Sequence, residues 1–305
     1  MNITTITDSA RYQSDPLSVY QLLCQNKDHN ILLESAEIDK KHLLKSLLLI
    51  DAAVKIVCNG DTVTFTTLST NGQNAVNYAA IALTDKASLS FSNENNVLTA
   101  IFPDVVTELD EKSRLTAINP LESLRLYNPL TTPDMHPFAI FLGGVFAFDL
   151  MTLAERLPDV ADGDNTCPDF VYYLAQTLVV IDHEKKCTEI IGNIFTEDDN
   201  ASVSHKQVSQ SIAQIKQALS VDITSAEIGA NTAQHQAIAS KTQKTSQKDD
   251  QEILVDISDE RYCEIVEQLK ENISAGDIFQ VVPSRTFSLP CANSVNAYKA
   301  LKISN

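Results

Sequence analysis

The stretch VKIVCNGDTVTFTTL, residues 54–68, constrains this chain more than any other. Two runs rich in β-branched residues flank Asn59-Gly60, a dipeptide that tolerates left-handed backbone and so supplies the two-residue turn of a β-hairpin. Antiparallel pairing is therefore dictated locally, with Val63 and Phe65 on one face. LVVIDHEKKCTEIIGNIF, residues 178–195, repeats the plan with a longer charged loop. Helical signals lie around these strands. Asp15 caps a short helix with Pro16 in its first turn, running to about Leu23. Asp39 caps another, on which Leu43, Leu44, Leu47 and Leu48 recur at helical spacing and leave Lys41 and Lys45 on the other side. NPLESLRLYN and TLAERL read as two more helices. Strands and helices mix without a regular βαβ alternation, which predicts an α+β fold of mainly antiparallel sheets with packed helices.

The pattern also divides the chain. Val203, Val208, Ile212, Ile215 and Leu219 share one helix face that closes a first unit, residues 1–219. Residues 221–251 are rich in Ser, Thr, Gln and Ala and contain no Phe, Tyr or Leu. That composition cannot bury enough apolar surface to offset chain entropy, so 220–252 reads as a flexible linker. A second unit, 253–305, opens with Tyr262, Ile265, Val266, Leu269 and Ile273 on an apolar helix face; Ala275-Gly276 stops the helix and IFQVVPSRTFSL runs on as a strand.

Charge and cysteine usage exclude several functions. With 40 Asp and Glu against 23 Lys and Arg, the formal charge is −17, which repels phosphate backbones and anionic lipid, so neither nucleic acid nor a membrane is an expected partner. Six dispersed cysteines form no Cys-x-x-Cys pair, arguing against a disulfide framework or a zinc site. The first residues lack an apolar segment behind a basic start, so no secretory signal is read and a cytoplasmic location is expected. FAIFLGGVFAF, 138–148, is too short to span a bilayer and reads as buried core.

Candidate chemistry is sparse. Glu260, Glu264, Glu267 and Glu271 offer oxygens that would suit Mg²⁺, but they lie opposite an apolar helix face, where a solvated charged row is the ordinary outcome. The histidines are scattered without ligand spacing. Gly143-Gly144 lacks the surroundings of a phosphate loop and is better explained by close backbone packing. The pair Glu34-Ser35, placed where the apolar run Ile31–Leu33 ends, has two readings. A carboxylate and a hydroxyl together can hold an ammonium group, with Lys45 supplying positive charge nearby; alternatively, one of the pair only caps the following segment.

LLESAEID, KSLLLIDAAVKI, GDTVTF, FLGGVFAFDL, CPDFVYYLAQTLVVIDH and, most specifically, AGDIFQVVPSR-x-FSLPC resemble anthranilate synthase component I in order and spacing. The resemblance spans nearly the whole chain. It implies the β/α sandwich of chorismate-binding enzymes and conversion of chorismate and ammonia to anthranilate and pyruvate in tryptophan synthesis. It also implies Mg²⁺ at the chorismate site and a glutamine amidotransferase subunit, component II, as ammonia source. Glu34, Ser35 and Lys45 would line an allosteric pocket for L-tryptophan. Thr286 stands where the family usually has a second Arg after Arg285. The family continues past the point matching Asn305, so the C-terminal, chorismate-binding domain is expected to be truncated, with magnesium-binding glutamates and catalytic acid–base groups beyond this chain. Neither catalytic nor metal-binding residues are therefore assigned here. The expectation is a component I fragment inactive alone; the alternative is a non-catalytic tryptophan- or partner-binding fragment.

Overall fold

The computed structural model describes residues 1–25, 27–34, 45–92, 94, 96–104, 110–153, 166–196, 201–223 and 253–304. They fall into two compact units, Met1–Ile238 and Ala239–Asn305.

In the first unit the elements run β1 (Asn2–Ala10), α1 (Pro16–Cys24), β2 (Ile31–Glu34), β3 (Lys45–Asn59), β4 (Thr62–Thr67), α2 (Thr70–Leu83), β5 (Ser88–Ser92), β6 (Val97–Ile101), α3 (Glu111–Thr116), α4 (Glu122–Arg125), β7 (Leu142–Phe146), β8 (Phe170–Asp182), β9 (Cys187–Thr196) and α5 (Ala201–Ala218). Nine strands form one sheet in the order β1-β9-β8-β3-β4-β6-β5, with β2 also on β3 and β7 also on β8. Every pairing is antiparallel. The α+β expectation therefore holds.

Two long strands make the spine. β3 pairs with β8 along most of its length; β2 and β9 flank the Lys45–Leu49 and Thr177–Asp182 half, while β4 and β7 flank the other. Between the halves the β3–β8 register slips at Leu49, Asp51, Ala52 and Val54. Such bulges bend a strand and turn a side chain out of its regular alternation.

The hairpin signal is realised: Asn59 pairs with Thr62, Gly60 takes φ 59°, and Val63 and Phe65 are buried. Asp15 caps α1 by accepting from the Ser18 N–H, with Pro16 in the first turn. Beneath α1 and α5 the sheet presents Leu48, Ile50, Val179, Ile181, Ile190 and Ile194 to Val19, Val208, Ile212, Ile215 and Leu219. Leu49, Leu178, Val180 and Ile191 form a second cluster with Phe138 and Phe141 against it. α2 and the α4 region cover the other half, where Val54, Ile56, Val63, Phe65, Leu98, Phe170 and Leu174 pack on Val76, Ala79, Leu83 and Tyr127.

Four expectations for the first unit need correction. Leu47 and Leu48 belong to strand β3, not to a helix begun at Asp39; Asp39, Lys41, Leu43 and Leu44 lie outside the described residues. Helical spacing would bury one stripe of this segment, whereas a strand covered on both faces buries Leu48, Leu49 and Ile50 together. Each such burial is worth about 1.5–3 kcal/mol, more than the roughly 0.7 kcal/mol per residue that helix propensity can offer. Val203, 48% exposed, leaves the apolar stripe of α5, and Ser204 takes the buried position. The run 138–148 is core only in part: Ala139 is buried, but Phe148 is 89% exposed. Gly144 does serve close packing, since a Cβ there would lie 2.1 Å from the Val171 carbonyl oxygen. Ile223 is buried, and its N–H donates to the Gln13 side chain, so packed chain extends past residue 219. Of the anticipated linker, residues 224–252 lie outside the described residues, as do residues 154–157 of TLAERL.

The second unit holds β10 (Leu254–Val255), α6 (Asp259–Ala275), β11 (Phe287–Ser288) and α7 (Ser294–Ser304). α6 is capped by Ser258 and ends at Gly276, φ 83°. IFQVVPSRTFSL is a strand only at Phe287 and Ser288, paired with β10. A strand exists through a neighbour's hydrogen bonds, and among the described residues 278–285 have no such neighbour; Phe279 is 96% exposed. No residue of 253–304 whose side chain is described is buried.

Candidate functional site

Glu34 ends β2 directly opposite Ser46 of β3. Opposed residues of an antiparallel pair share a face, so both lie on the side that α1 and α5 cover, in line with Leu32 and Leu48. Ser46 Oγ is 3.0 Å from His183 Nε2, and His183 Nδ1 is 3.0 Å from the Tyr12 hydroxyl. The two rings meet edge to face. One end of the sheet thus carries a carboxylate beside a serine, imidazole and phenol chain, a group of acceptors and exchangeable protons able to receive an ammonium.

Lys45 is one residue along, opposite Asp182 of β8, and its Nζ is 3.8 Å from Asp182 Oδ2. Alternation along β3 sends Lys45 to the face opposite Ser46. The Lys185 N–H, donating to Asp182 Oδ1 at 2.8 Å, holds that carboxyl below the usual aspartate range, and the Lys45 and Lys185 charges add to the effect. Sheet pairing therefore brings Glu34 and Lys45 to one end of the sheet but roots them on opposite faces. Ser35 lies outside the described residues.

A second polar group sits at the β3–β8 bulge, where pattern reading assigned nothing. Gly72 opens α2 so close to β3 that a Cβ would fall 1.9 Å from the Ala53 carbonyl oxygen. This contact seats Ser69 and Asn71 over the bend. Asn71 Oδ1 accepts from the Phe195 N–H at 2.7 Å, while its Nδ2 donates to Asn193 O at 2.8 Å and to Gln176 Oε1 at 3.2 Å. Ser69 accepts from the Gly72 N–H and donates to the same Gln176 oxygen at 2.7 Å. Asp51, nearby on β3, accepts from Lys27 Nζ and from Ser211 Oγ, each at 2.6 Å. These residues are far apart in sequence, which hid them; the available signal was a lone Asp within LLLIDAAV and a lone Gln within YYLAQTLVV.

In the second unit Arg285 is stacked on Tyr262 and Phe287, 5.3 and 4.7 Å from the ring centroids. It also reaches the Ile257 carbonyl and the Asp259 carboxylate. Thr286 donates its N–H to Asp256 Oδ1 at 2.9 Å. The α6 acids behave as a solvated row, Glu264 pairing with Arg261 and Glu267 with Lys270. Among the described residues no three His, Cys, Asp or Glu side chains converge as a metal cluster. Nor is any described helix long and apolar enough to cross a membrane.

An antiparallel α+β sheet with polar groups gathered at its end and its bend is the class of protein defined so far. The chain belongs to the chorismate binding enzyme family, which matches residues 67–305. It is 40% identical over 295 residues to anthranilate synthase component 1 of Vibrio cholerae serotype O1, covering 96% of this chain and 52% of that protein. It is 36% identical over 304 residues to the Escherichia coli K12 protein of the same name, covering 98% and 54%. The chain spans about half the length of the curated relatives it matches. Among solved structures, anthranilate synthase component I from Streptococcus pneumoniae aligns over 93% of this chain and 50% of that one, with a TM-score of 0.49 at 18% identity.

Proposed function

We propose that this chain forms the effector-sensing front of an anthranilate synthase component I, the enzyme that takes chorismate and ammonia to anthranilate and pyruvate in tryptophan synthesis. The observation that carries this reading is 40% identity sustained over 96% of the chain to a protein of that name. Ammonia would come from glutamine through a component II amidotransferase. Mg²⁺ would sit at the chorismate site, as the family resemblance implies.

Sensing is assigned to Glu34, Ser35 and Lys45. The tryptophan ammonium is held by the Glu34 carboxylate and the Ser35 hydroxyl, while Lys45 contributes positive charge at the same end of the sheet. The placement of Glu34 opposite Ser46, beside the His183 and Tyr12 chain, supports this by surrounding the ammonium with acceptors. Feedback then acts as a coupling free energy: tryptophan binding weakens chorismate binding, and chorismate weakens tryptophan binding by the same factor. Calorimetric titration of the chain with L-tryptophan, repeated on Ser35→Phe and Ser35→Arg, tests the pocket. Saturable heat that disappears in both variants is the expected result; heat unchanged by either substitution refutes the assignment.

That no residue with a described side chain in 253–304 is buried, whereas the first unit has its own core, favours a second reading: a tryptophan- or partner-binding unit without catalysis. Turnover of chorismate with Mg²⁺ and ammonium by these 305 residues would rule it out.

A further inference from the structure

The bend in the spine opens onto a cavity of 370 Å³, lined by Lys27, Asp28, His29, Ile50, Asp51, Ala52, Leu68, Ser69 and Gln176. Two groups in it are uncommitted. Gln176 is only 8% exposed, and the bonds around it fix which way its amide points. The Phe195 N–H claims Asn71 Oδ1, so Asn71 must turn its Nδ2 toward Gln176, and only an oxygen can accept there. The Ser69 hydroxyl, its oxygen already taken by the Gly72 N–H, donates to the same oxygen. Gln176 Nε2, with two N–H donors, is left without a partner among the described residues. Gln176 lines the cavity, so an oxygen entering it can accept from these two N–H groups.

The second group is Asp28, whose carboxylate has no donor among the described residues. Beside it His29, held at φ 60°, rests its ring on Tyr173 at 5.6 Å between centroids. Asp28 and His29 line the same cavity, and burial, then the Asp28 charge, raise the Tyr173 phenol. Lys27 is taken up by Asp51, so the lining carries one carboxylate in excess of its cations. Ile50, Ala52 and Leu68 supply an apolar lining.

A lining that pairs unused N–H donors with an unused carboxylate matches a ligand carrying an acceptor oxygen and an ammonium together. The volume lies within the range of small-molecule sites, roughly 300–1,000 Å³. We propose that the cavity over the β3–β8 bulge binds a free α-amino acid, its carboxylate on Gln176 Nε2 and its ammonium on Asp28. This site is separate from the one assigned to Glu34. Asp51 lies five residues beyond Ser46 on β3, about 16 Å at the rise of a strand.

The test is a ¹H–¹⁵N titration of the full chain with each of the common L-amino acids at about 10 mM, a range that detects millimolar binding. The Gln176 Nε2 amide pair is followed, assigned by its loss in Gln176→Glu. At least one amino acid is expected to shift that pair saturably, and its deaminated acid and decarboxylated amine to bind about tenfold more weakly. Asp28→Asn and Gln176→Glu should each weaken it by about tenfold or more, the scale of one hydrogen bond to a charged group. Asp28 is exposed, so Asp28→Asn keeps the test decisive if the buried substitution fails to fold. If no amino acid moves the Gln176 pair, or if either folded variant binds within twofold of the parent chain, the proposal is overturned. The readout is local to Gln176, so it stands whether or not tryptophan binds beside Glu34.

Discussion

Replacing Asn71 with alanine is the sharpest test of how the sheet is held to α2. Asn71 is fully buried and joins three elements: it accepts from Phe195 of β9, donates to the Asn193 carbonyl, and donates to Gln176 of β8. Gln176 Oε1 keeps its Ser69 bond after the change. The Phe195 N–H and the Asn193 carbonyl are stripped of this partner in a dry setting. Each unpaired group costs about 1–3 kcal/mol, giving a loss of about 2–6 kcal/mol from a total that for domains of this kind is about 5–15 kcal/mol. Urea unfolding followed by far-ultraviolet circular dichroism should show the midpoint falling with the slope unchanged. Thr70→Ala, on the exposed side of the same helix end, should shift stability by less than about 0.5 kcal/mol. A loss below about 1 kcal/mol for Asn71→Ala would refute the argument that this amide is a structural tie.

Other outcomes follow from the same structure. Of six free cysteines, Cys24 and Cys58 are buried and the other four exposed, so an aromatic disulfide reagent should label four thiols promptly and two only on unfolding. Burial pushes both buried thiols up to about 12 from 9.0; because the folded value is the higher, their contribution is whole below pH 9 and lost as pH rises toward 12, and Cys58→Ala should flatten that alkaline loss. In acid the sign reverses: the Lys216 hydrogen bond lowers Asp8 below 3.8, and the Lys86 and Arg125 bonds outweigh burial to lower Glu122 below 4.5. Melting temperature should therefore fall as pH drops below about 4.5, less steeply in Lys216→Met. Hydrogen exchange should find residues 253–304 unprotected within seconds, while β3 and β8 exchange only through global opening.

What could be read in advance tracks how local the cause is. Asp15-Pro16 and Asn59-Gly60 act over a few residues, and both appear as read. Leu47 and Leu48 were misassigned because period alone does not reveal that both faces of a strand are covered. The extended reading of residues 278–285 fails for want of a neighbour, a fact no local pattern contains. Glu34 stands out as a candidate in the sequence because an apolar run stops at it. Gln176 and Asn71 stayed hidden because their partnership spans 105 residues and depends on a register slip.

β1 carries a consequence for biogenesis. Among the described residues it pairs only with β9, Asn2 opposite Thr196, across a separation of 194 residues. At translation rates of roughly 5–20 residues per second, the early strand waits about 10–40 seconds for its mate to emerge from the ribosome. Throughout that interval its threonine- and isoleucine-rich backbone is an open template for foreign chains, so yield in the cell should respond to chaperone supply and elongation speed before it responds to any change in the finished core.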